Sequence, residues 1–228
     1  MTAPLKLISS MATRELLASL AAQFQSRHGE AVQTESAGGV EVARRIGAGE
    51  AFDVVVLAAD AIDKLLAARS VLAPRVDLVR SGVAIAVREG AVAPAVTTEQ
   101  EVRAAVLAAP SLSFSTGPSG VYLEKLFERW GILAQVRPRI VVPPPGVPVG
   151  SLVADGRAAL GFQQLSELMN LPGIRVLGPL PQAIQTLTVF SAAACAGSGA
   201  VARARQLLDY LASPQVAAIK QQFGMQPA

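Results

Sequence analysis

Residues 31 to 57 read Ala31-Val-Gln-Thr-Glu-Ser36-Ala-Gly-Gly39-Val-Glu-Val-Ala-Arg-Arg-Ile-Gly47-Ala-Gly-Glu-Ala-Phe-Asp53-Val-Val-Val-Leu57. Two strand-like runs, Ala31–Ser36 and Asp53–Leu57, flank a stretch of helical period over Gly39–Gly47. A strand, a helix and a second strand within about 30 residues form a βαβ unit with parallel strands. The stretch therefore predicts an α/β fold.

Short apolar runs alternate with amphipathic stretches along the rest of the chain, which predicts a mostly parallel sheet flanked by helices. The further strand candidates are Leu5–Ser9, Val83–Val87, Leu112–Ser115, Arg139–Val142, Ala158–Phe162, Ile174–Leu177 and Leu187–Ser191. The further helix candidates are Ala12–Arg27, Ala61–Ala68, Glu99–Ala108, Ser119–Trp130, Val147–Ala154, Ala200–Ala212 and Pro214–Phe223.

Two segments suggest that the chain crosses twice between two lobes. Val76–Val87 is extended around Arg80-Ser-Gly82, and strand character resumes after Gly178-Pro-Leu-Pro181. Crossover strands near residues 78–84 and 178–186 would place residues 1–80 and 182–228 in lobe I and residues 81–181 in lobe II. This division is inferred from the glycine and proline residues that interrupt the strand pattern and from the length of the chain.

Composition indicates a globular protein, because 51% of the residues are hydrophobic and 16% are charged. Aromatic residues make up 4%, too few for a platform on which nucleic-acid bases stack. The net charge is +3, and the arginines are dispersed along the chain. We therefore expect no nucleic-acid partner, whereas a mild positive charge would help to attract a small anion.

The usual catalytic and metal-binding signatures are missing from the sequence. It has no Gly-x-x-x-x-Gly-Lys loop, no Gly-x-Ser-x-Gly elbow and no His-Glu-x-x-His motif. Cys195 is the one cysteine and His28 the one histidine, and they lie far apart in sequence. We expect no metal site and no cofactor, with Cys195 buried and His28 at the end of a helix.

The first strand begins at Leu5, too early for a secretory signal, and no run reaches the roughly 18 apolar residues of a membrane span. We therefore expect a cytoplasmic protein that does not insert into a membrane. The alternative is a periplasmic protein, if Met1-Thr-Ala3 replaces a removed signal.

Small hydroxyl and glycine residues recur where a predicted strand gives way to a helix. They occur at Ser9-Ser10-Met11, at Ser36-Ala-Gly38-Gly39 and at Ser115-Thr-Gly-Pro-Ser119-Gly120. The first turn of a helix offers unpaired N–H groups and partial positive charge, so these loops can hold an anion. Ordinary capping and turn formation is the alternative for each loop.

These loops resemble those of the periplasmic molybdate-binding proteins of ABC transporters, which have the type II periplasmic-binding-protein fold. The most specific piece runs from Glu35 to Val54, followed by Ile8–Met11 and Val149–Glu167. The resemblance covers nearly the whole chain. It implies two α/β lobes with a ligand cleft between them, which close on a small anion, and an ABC permease as partner if the protein is exported.

Carried over from that family, the ligand contacts are loop serines and the N–H groups of helix starts. The residues implied in the first lobe are Ser9, Ser10, Met11, Ser36, Gly38 and Gly39, and those in the second lobe are Ser115, Ser119, Gly120, Val147, Gln163 and Gln164.

At one strand end this chain departs from the family, which usually has a tyrosine where Gln163-Gln164 stands. Amides offer donors and acceptors together, which suits a ligand with carboxylate or hydroxyl groups. The stretch Phe162–Glu167 is similar to the branch of the family that includes aconitate isomerase.

Three functions stay open at this point. The first is a binding protein for a molybdate-like oxyanion or a small polycarboxylate. The second is an isomerase of an unsaturated tricarboxylate, with Tyr122 or Glu167 as candidate base and Arg14 or Arg44 as candidate carboxylate clamp. The third is a ligand-sensing module, since fold alone does not decide function.

Overall fold

The structure is a computed structural model that describes residues 3–228. Its strands are β1 (Leu5–Ser10), β2 (Val32–Ala37), β3 (Val54–Ala58), β4 (Val71–Arg88), β5 (Leu112–Phe114), β6 (Leu160–Gln164), β7 (Ile174–Pro179), β8 (Leu187–Cys195) and β9 (Gln226–Pro227). Its α-helices are α1 (Arg14–His28), α2 (Gly39–Gly47), α3 (Ala59–Ala67), α4 (Glu99–Ala108), α5 (Pro118–Arg129), α6 (Leu133–Val136), α7 (Val149–Ala154), α8 (Leu165–Leu168), α9 (Val201–Ala212) and α10 (Ala217–Gln222).

The chain forms two compact units. Unit 1 comprises the residues up to Arg80 together with Val189–Ala228, and unit 2 comprises Ser81–Thr188. Residues 182–188, which the sequence assigned to the first lobe, thus lie in unit 2. Gln185 holds them there, because its side-chain amide bonds both the N–H and the C=O of Val83, each at 3.0 Å.

Unit 1 is built on the parallel strands β2, β1 and β3, with β8 antiparallel beside β3. Its first helix, α1, has a buried apolar face and ends at a glycine. The apolar face expected for the first helix is buried, with Leu16, Leu20 and Phe24 each at most 3% exposed. Gly29 ends α1 with φ at +69°, a backbone conformation that glycine adopts readily. The βαβ unit predicted from residues 31–57 is present here.

In unit 2, β5 and β6 run parallel, whereas β4 runs antiparallel to both β6 and β7. The sheet of this unit is therefore mixed, which differs from the mostly parallel sheet expected for each lobe. Thr98 begins α4 with a capping box, in which its hydroxyl accepts from the N–H of Glu101. The apolar core packs α4, α5 and α6 against the sheet around Phe127 and Phe162.

One predicted strand is wrong. In place of a strand over Arg139–Val142, residues 137–139 form a 3-10 turn, and only Ile140 makes an isolated bridge, to Leu112. Pro138 has no N–H to donate to a ladder, and the Arg139 guanidinium is bound to the carbonyl oxygens of Leu107 and Ala109. The short helices α6 and α8 were missed, because four residues are too few to show a helical period.

Candidate functional site

The carboxyl ends of three neighbouring strands meet at one edge of the unit 1 sheet. Parallel pairing places Ser9 beside Ser36 on β2 and beside Val56 on β3. Each strand leads into a helix start: a 3-10 helix at Met11–Thr13 that runs into α1, then α2, then α3. We call Ser9, Ser10, Ser36, Gly38 and Ala58 the first edge.

The helix starts of the first edge have no side-chain caps. Ser10, Gly38 and Ala58 precede the 3-10 helix, α2 and α3, and none of the three makes a side-chain capping bond. Val42 is the first residue of α2 whose N–H bonds back to Gly38, so the N–H groups before it lie within the unpaired first turn. Backbone donors and helix dipoles thus converge where an anion would be stabilised.

The serine hydroxyls of the first edge have different roles. Ser9 donates to the carbonyl of Ser10 at 3.2 Å, and the hydroxyls of Ser9 and Ser36 lie 2.9 Å apart. Because Ser9 has only one proton, Ser36 donates in that pair. Ser10 is 8% exposed, and its hydroxyl is buried without a partner. Ser10 is therefore the first-edge serine whose hydroxyl has no partner among the described residues.

The other residues expected at this edge vary in their placement. Met11 is half-buried at the start of the 3-10 helix, and Gly39 is the first residue of α2. Arg14 is paired with Glu15 at 2.8 Å and Arg44 with Glu41 at 2.7 Å, all with exposed side chains. Both arginines form surface ion pairs, so the structure does not support either as a carboxylate clamp.

Ala58, the last residue of β3, was missed in the sequence, because no serine or glycine marks this loop. The pairing of Asp77 with Ser191 was also missed. The buried Ser191 lies beside Leu57 in the sheet and donates to the Asp77 carboxylate at 2.6 Å. Ser191 and Asp77 are 114 residues apart, so no local pattern could have joined them.

A second set of strand ends lies in unit 2. Phe114 pairs with Phe162 where β5 and β6 run parallel, so Ser115 and Gln163 follow at one edge of this sheet. The hydroxyls of Ser115 and Ser119 lie 3.2 Å apart, and Ser119 is buried in the first turn of α5. We call Ser115, Ser119, Gln163 and Gln164 the second edge.

Gly120 lets the second-edge loop fold tightly onto α5. A Cβ at this position would lie 1.6 Å from the carbonyl oxygen of Ser115, closer than any two such atoms can approach. The glycine is therefore required by packing within the loop, whether or not its N–H also meets a ligand. Its N–H donates to Gly117 O at 3.0 Å.

Side-chain hydrogen bonds orient the two glutamines. Gln163 accepts from the N–H of Gly150 in α7 at 3.4 Å and donates to the Glu167 carboxylate at 2.7 Å. Gln164 donates to the hydroxyl of Thr188 at 2.9 Å, and its side-chain oxygen is buried without a partner. Both side chains are 3% exposed, so each amide is held in one orientation.

The matches with known proteins agree with this architecture. A model of a family described as bacterial extracellular solute-binding proteins matches residues 5–226. The chain belongs to this family. An aconitate isomerase from a Pseudomonas species is 38% identical over 190 residues, which cover 82% of this chain and 71% of that enzyme.

Solved structures show the same fold at lower identity. The periplasmic molybdate-binding protein of Azotobacter vinelandii superposes with a TM-score of 0.81 at 22% identity, over 97% of this chain and 98% of that one. PEB3 of Campylobacter jejuni with bound L-phospholactate superposes with a TM-score of 0.76 at 13% identity, over 97% and 99% of the two chains. The type II periplasmic-binding-protein fold expected from the sequence is confirmed.

Tyr122 and Val147 of this solute-binding protein already have partners. The Tyr122 hydroxyl donates to the carbonyl of Ile184 at 2.8 Å, and burial raises the pKa of the phenol above its usual value. A phenol that is neutral and already bonded is poorly suited as a base at neutral pH. The N–H of Val147 donates to Pro144 O at 3.0 Å, so it is engaged within its own turn.

Cys195 and His28 lie where the sequence predicted. Cys195 is buried, and burial together with the nearby Asp53 raises its thiol pKa to about 12. The thiol therefore stays protonated and unreactive at neutral pH. His28 is the last residue of α1, and its ring centroid lies 4.5 Å from that of Phe24 with the two rings tilted by 31°.

Two wider features concern metals and membranes. Over residues 3–228, no three His, Cys, Asp or Glu side chains cluster as a metal ion would require. None of the described helices has the length and apolar character needed to cross a bilayer.

Unit 1 also carries two surface pockets away from the first edge. One, of about 270 Å³, is lined by Lys6, Gln33, Glu35, Glu50, Ala51 and Phe52. The other, of about 150 Å³, lies beside α9 and is lined by residues that include Leu72, Val76 and Leu208. Neither is lined by a first-edge residue, so we base no function on them.

Proposed function

We propose that this solute-binding protein binds a small organic anion that carries carboxylate groups. The observation that carries the proposal is the first edge, where the buried Ser10 hydroxyl lacks a partner beside three uncapped helix starts. An anionic oxygen would accept from this hydroxyl and from first-turn N–H groups at the same time.

Two observations favour an organic acid over an inorganic oxyanion. The aconitate isomerase is 38% identical to this chain, whereas the molybdate-binding protein is 22% identical. In addition, the second edge holds two buried amides, and the side-chain oxygen of Gln164 has no hydrogen-bond partner. This oxygen can accept a hydrogen bond from a protonated group, which an organic acid can carry and a fully ionised oxyanion lacks.

A thermal-shift panel tests this proposal. The panel contains molybdate, tungstate, sulfate, phosphate, citrate, tricarballylate, and cis- and trans-aconitate. A ligand that binds only the folded protein stabilises it by about 2.7 kcal/mol at a hundredfold excess over Kd. We expect shifts with the tricarboxylates. Shifts with molybdate or tungstate alone would contradict the organic-acid proposal, and no shift with any anion would contradict anion binding itself.

An isomerase is the second candidate, favoured by the identity to aconitate isomerase and by the geometry of Glu167. The reaction would be an allylic shift: a base takes a proton from the CH₂ carbon, the double bond moves, and a proton is returned to the former vinylic carbon. Glu167 is our candidate for the base, since Gln163 donates to one of its carboxylate oxygens at 2.7 Å and orients it.

Proton NMR of cis-aconitate in D₂O with added protein would detect isomerisation as growth of the trans isomer with deuterium incorporated. Glu167→Gln should lower the rate at least about a hundredfold, the usual contribution of a positioned general base. Glu124→Gln, which changes an exposed carboxylate of α5, is the control. Isomerisation that survives Glu167→Gln would exclude this residue as the base.

We also propose that the protein acts outside the cytoplasm with an ABC permease as partner, because the family is described as extracellular. Fractionation of cells that express the native gene would test this. Recovery in the cytosol would instead favour the isomerase or a sensing role.

A further inference from the structure

Unit 2 contains two buried polar atoms without partners. The Ser81 hydroxyl and the side-chain oxygen of Gln164 make no hydrogen bond, although the residues are only 1% and 3% exposed. By contrast, the equally buried Ser113 donates to Val141 O at 2.7 Å. A buried polar atom left unpaired costs free energy, so a pair of them needs an explanation.

The sheet register places these two residues next to each other. Val83 of β4 lies directly opposite Gln164 of β6 in the antiparallel pair. Ser81 is two residues before Val83, so it lies on the same face, diagonal to Gln164. Diagonal neighbours of this kind are about 7–8 Å apart, close enough for one small group to meet both polar ends.

The chemistry of the free atoms limits what that group can be. Gln164 donates one amide N–H to Thr188, and the atom left without a partner is its carbonyl oxygen, which can only accept. An ionised carboxylate or a metal oxyanion has no proton to donate and would be repelled by this oxygen. A group with an O–H can donate to Gln164 and accept from the Ser81 hydroxyl.

We propose that Ser81 and Gln164 form a subsite for an O–H group of the ligand. The O–H belongs either to the hydroxyl of a hydroxy acid or to a carboxyl that keeps its proton in the complex. This inference rests on the proposed binding of a small organic acid and narrows its class. It also excludes fully ionised oxyanions from the subsite.

Calorimetric titration with citrate and with tricarballylate, which lacks the hydroxyl, distinguishes the two possible sources of the bound O–H group. If the hydroxyl is bound, citrate binds about fivefold to tenfold more tightly than tricarballylate near pH 7.5, as one hydrogen bond warrants. If a protonated carboxyl is bound, tricarballylate and trans-aconitate instead gain at least about tenfold in affinity as the pH falls from about 7.5 to 5.5, because one linked proton changes affinity by up to about tenfold per pH unit.

Ser81→Ala should reduce the difference in affinity, either between citrate and tricarballylate or between about pH 5.5 and 7.5, to about twofold or less. It should do so by weakening the tighter binding, and it should leave the weaker binding unchanged. Its melting temperature should not fall, because the lost hydroxyl has no partner. Ser113→Ala is the matched control: it removes a bonded hydroxyl, so it should lower the melting temperature and leave the ligand preference intact. Gln164→Met provides a second variant that should also remove the preference.

The outcomes distinguish this subsite from the proposed function. Organic acids that bind with neither a hydroxyl preference nor a pH-dependent gain would overturn the subsite and leave organic-acid binding standing. The same holds for a preference that Ser81→Ala does not change. If no anion of the panel binds, the proposed function fails and the subsite fails with it.

Discussion

The first and second edges present hydrogen-bonding groups of different kinds. At the first edge, the helix starts after Ser10, Gly38 and Ala58 have no side-chain caps, and the donors are mostly backbone N–H groups. At the second edge, Gln163 is bonded at both ends of its amide, whereas Gln164 donates to Thr188 and its side-chain oxygen has no partner. Backbone donors at helix starts suit almost any anionic oxygen, whereas oriented amides discriminate between donors and acceptors.

This contrast predicts that the first edge sets the affinity for anions and that the second edge sets the preference among them. We expect changes at the first edge to alter the binding of all anions alike, and changes at the second edge to alter the preference among them. Three substitutions at or beside the edges test this expectation, and a fourth tests a difference in buried charge between the two units.

The largest effect is expected from Ser36→Asp. A carboxylate at this first-edge position would repel every anion, so affinity should fall at least about a hundredfold for all bound ligands. Isothermal titration measures the loss. Gln33→Asp, an exposed position three residues earlier on β2, controls for the added charge and should bind normally. Equal affinity of Ser36→Asp and the parent protein would show that the first edge is not the anion site.

Gly120→Ala should have the next largest effect. The new Cβ would lie 1.6 Å from Ser115 O, so the second-edge loop must move, and we expect the free energy of unfolding to fall by about 2–3 kcal/mol. Urea denaturation measures it. Gly39→Ala, at the first residue of α2, is the comparison, because its nearest contact would be an ordinary 3.8 Å to Leu57. A loss at Gly39 as large as that at Gly120 would refute the expected difference in packing.

A smaller effect is expected from Ser10→Ala. The hydroxyl is buried and unpartnered, so its removal should leave the melting temperature unchanged while it weakens ligand binding about fivefold to tenfold. The loss should be equal for all bound acids, unlike that of Ser81→Ala. A change in ligand preference with Ser10→Ala would break the division between affinity and specificity.

The smallest effect is expected for the buried lysine Lys220, whose replacement should change the stability of the protein. Unit 1 buries Lys220 at 2% exposure, whereas the described buried polar residues of unit 2 are serines and glutamines. Burial lowers the pKa of Lys220, so the folded state disfavours the charged amine. The stability of the protein should therefore rise with pH from the lowered pKa of Lys220 in the folded state up to the ordinary lysine pKa of about 10.4.

Lys220→Met should stabilise the protein by about 1 kcal/mol at neutral pH and flatten that pH dependence. Chemical denaturation at several pH values measures both. Lys64→Met, on the exposed face of α3, is the matched control and should change neither. If the variant keeps the pH slope of the parent protein, Lys220 is not its source.

Much of the fold could be read from local patterns. Gly39–Gly47 and Glu99–Ala108 form helices with the predicted bounds, because apolar period and flanking residues agree there. The conformation of Arg139–Val142 was predicted wrongly, because its apolar run is typical of a strand. In the structure, Pro138 and the contacts of Arg139 prevent strand pairing there. The second boundary between the units also depended on a long-range contact, that of Gln185 with Val83.

The α/β fold and the loops that carry serine and glycine could be predicted from periodicity and local chemistry, and the family from the resemblance of those loops to known ones. Which of the polar groups are free follows from contacts in the folded protein. Only the three-dimensional contacts show that Ser9 and Tyr122 are already bonded while Ser10, Ser81 and Gln164 are buried without partners. Whether a polar atom is satisfied depends on neighbours distant along the chain, which no short stretch of sequence records.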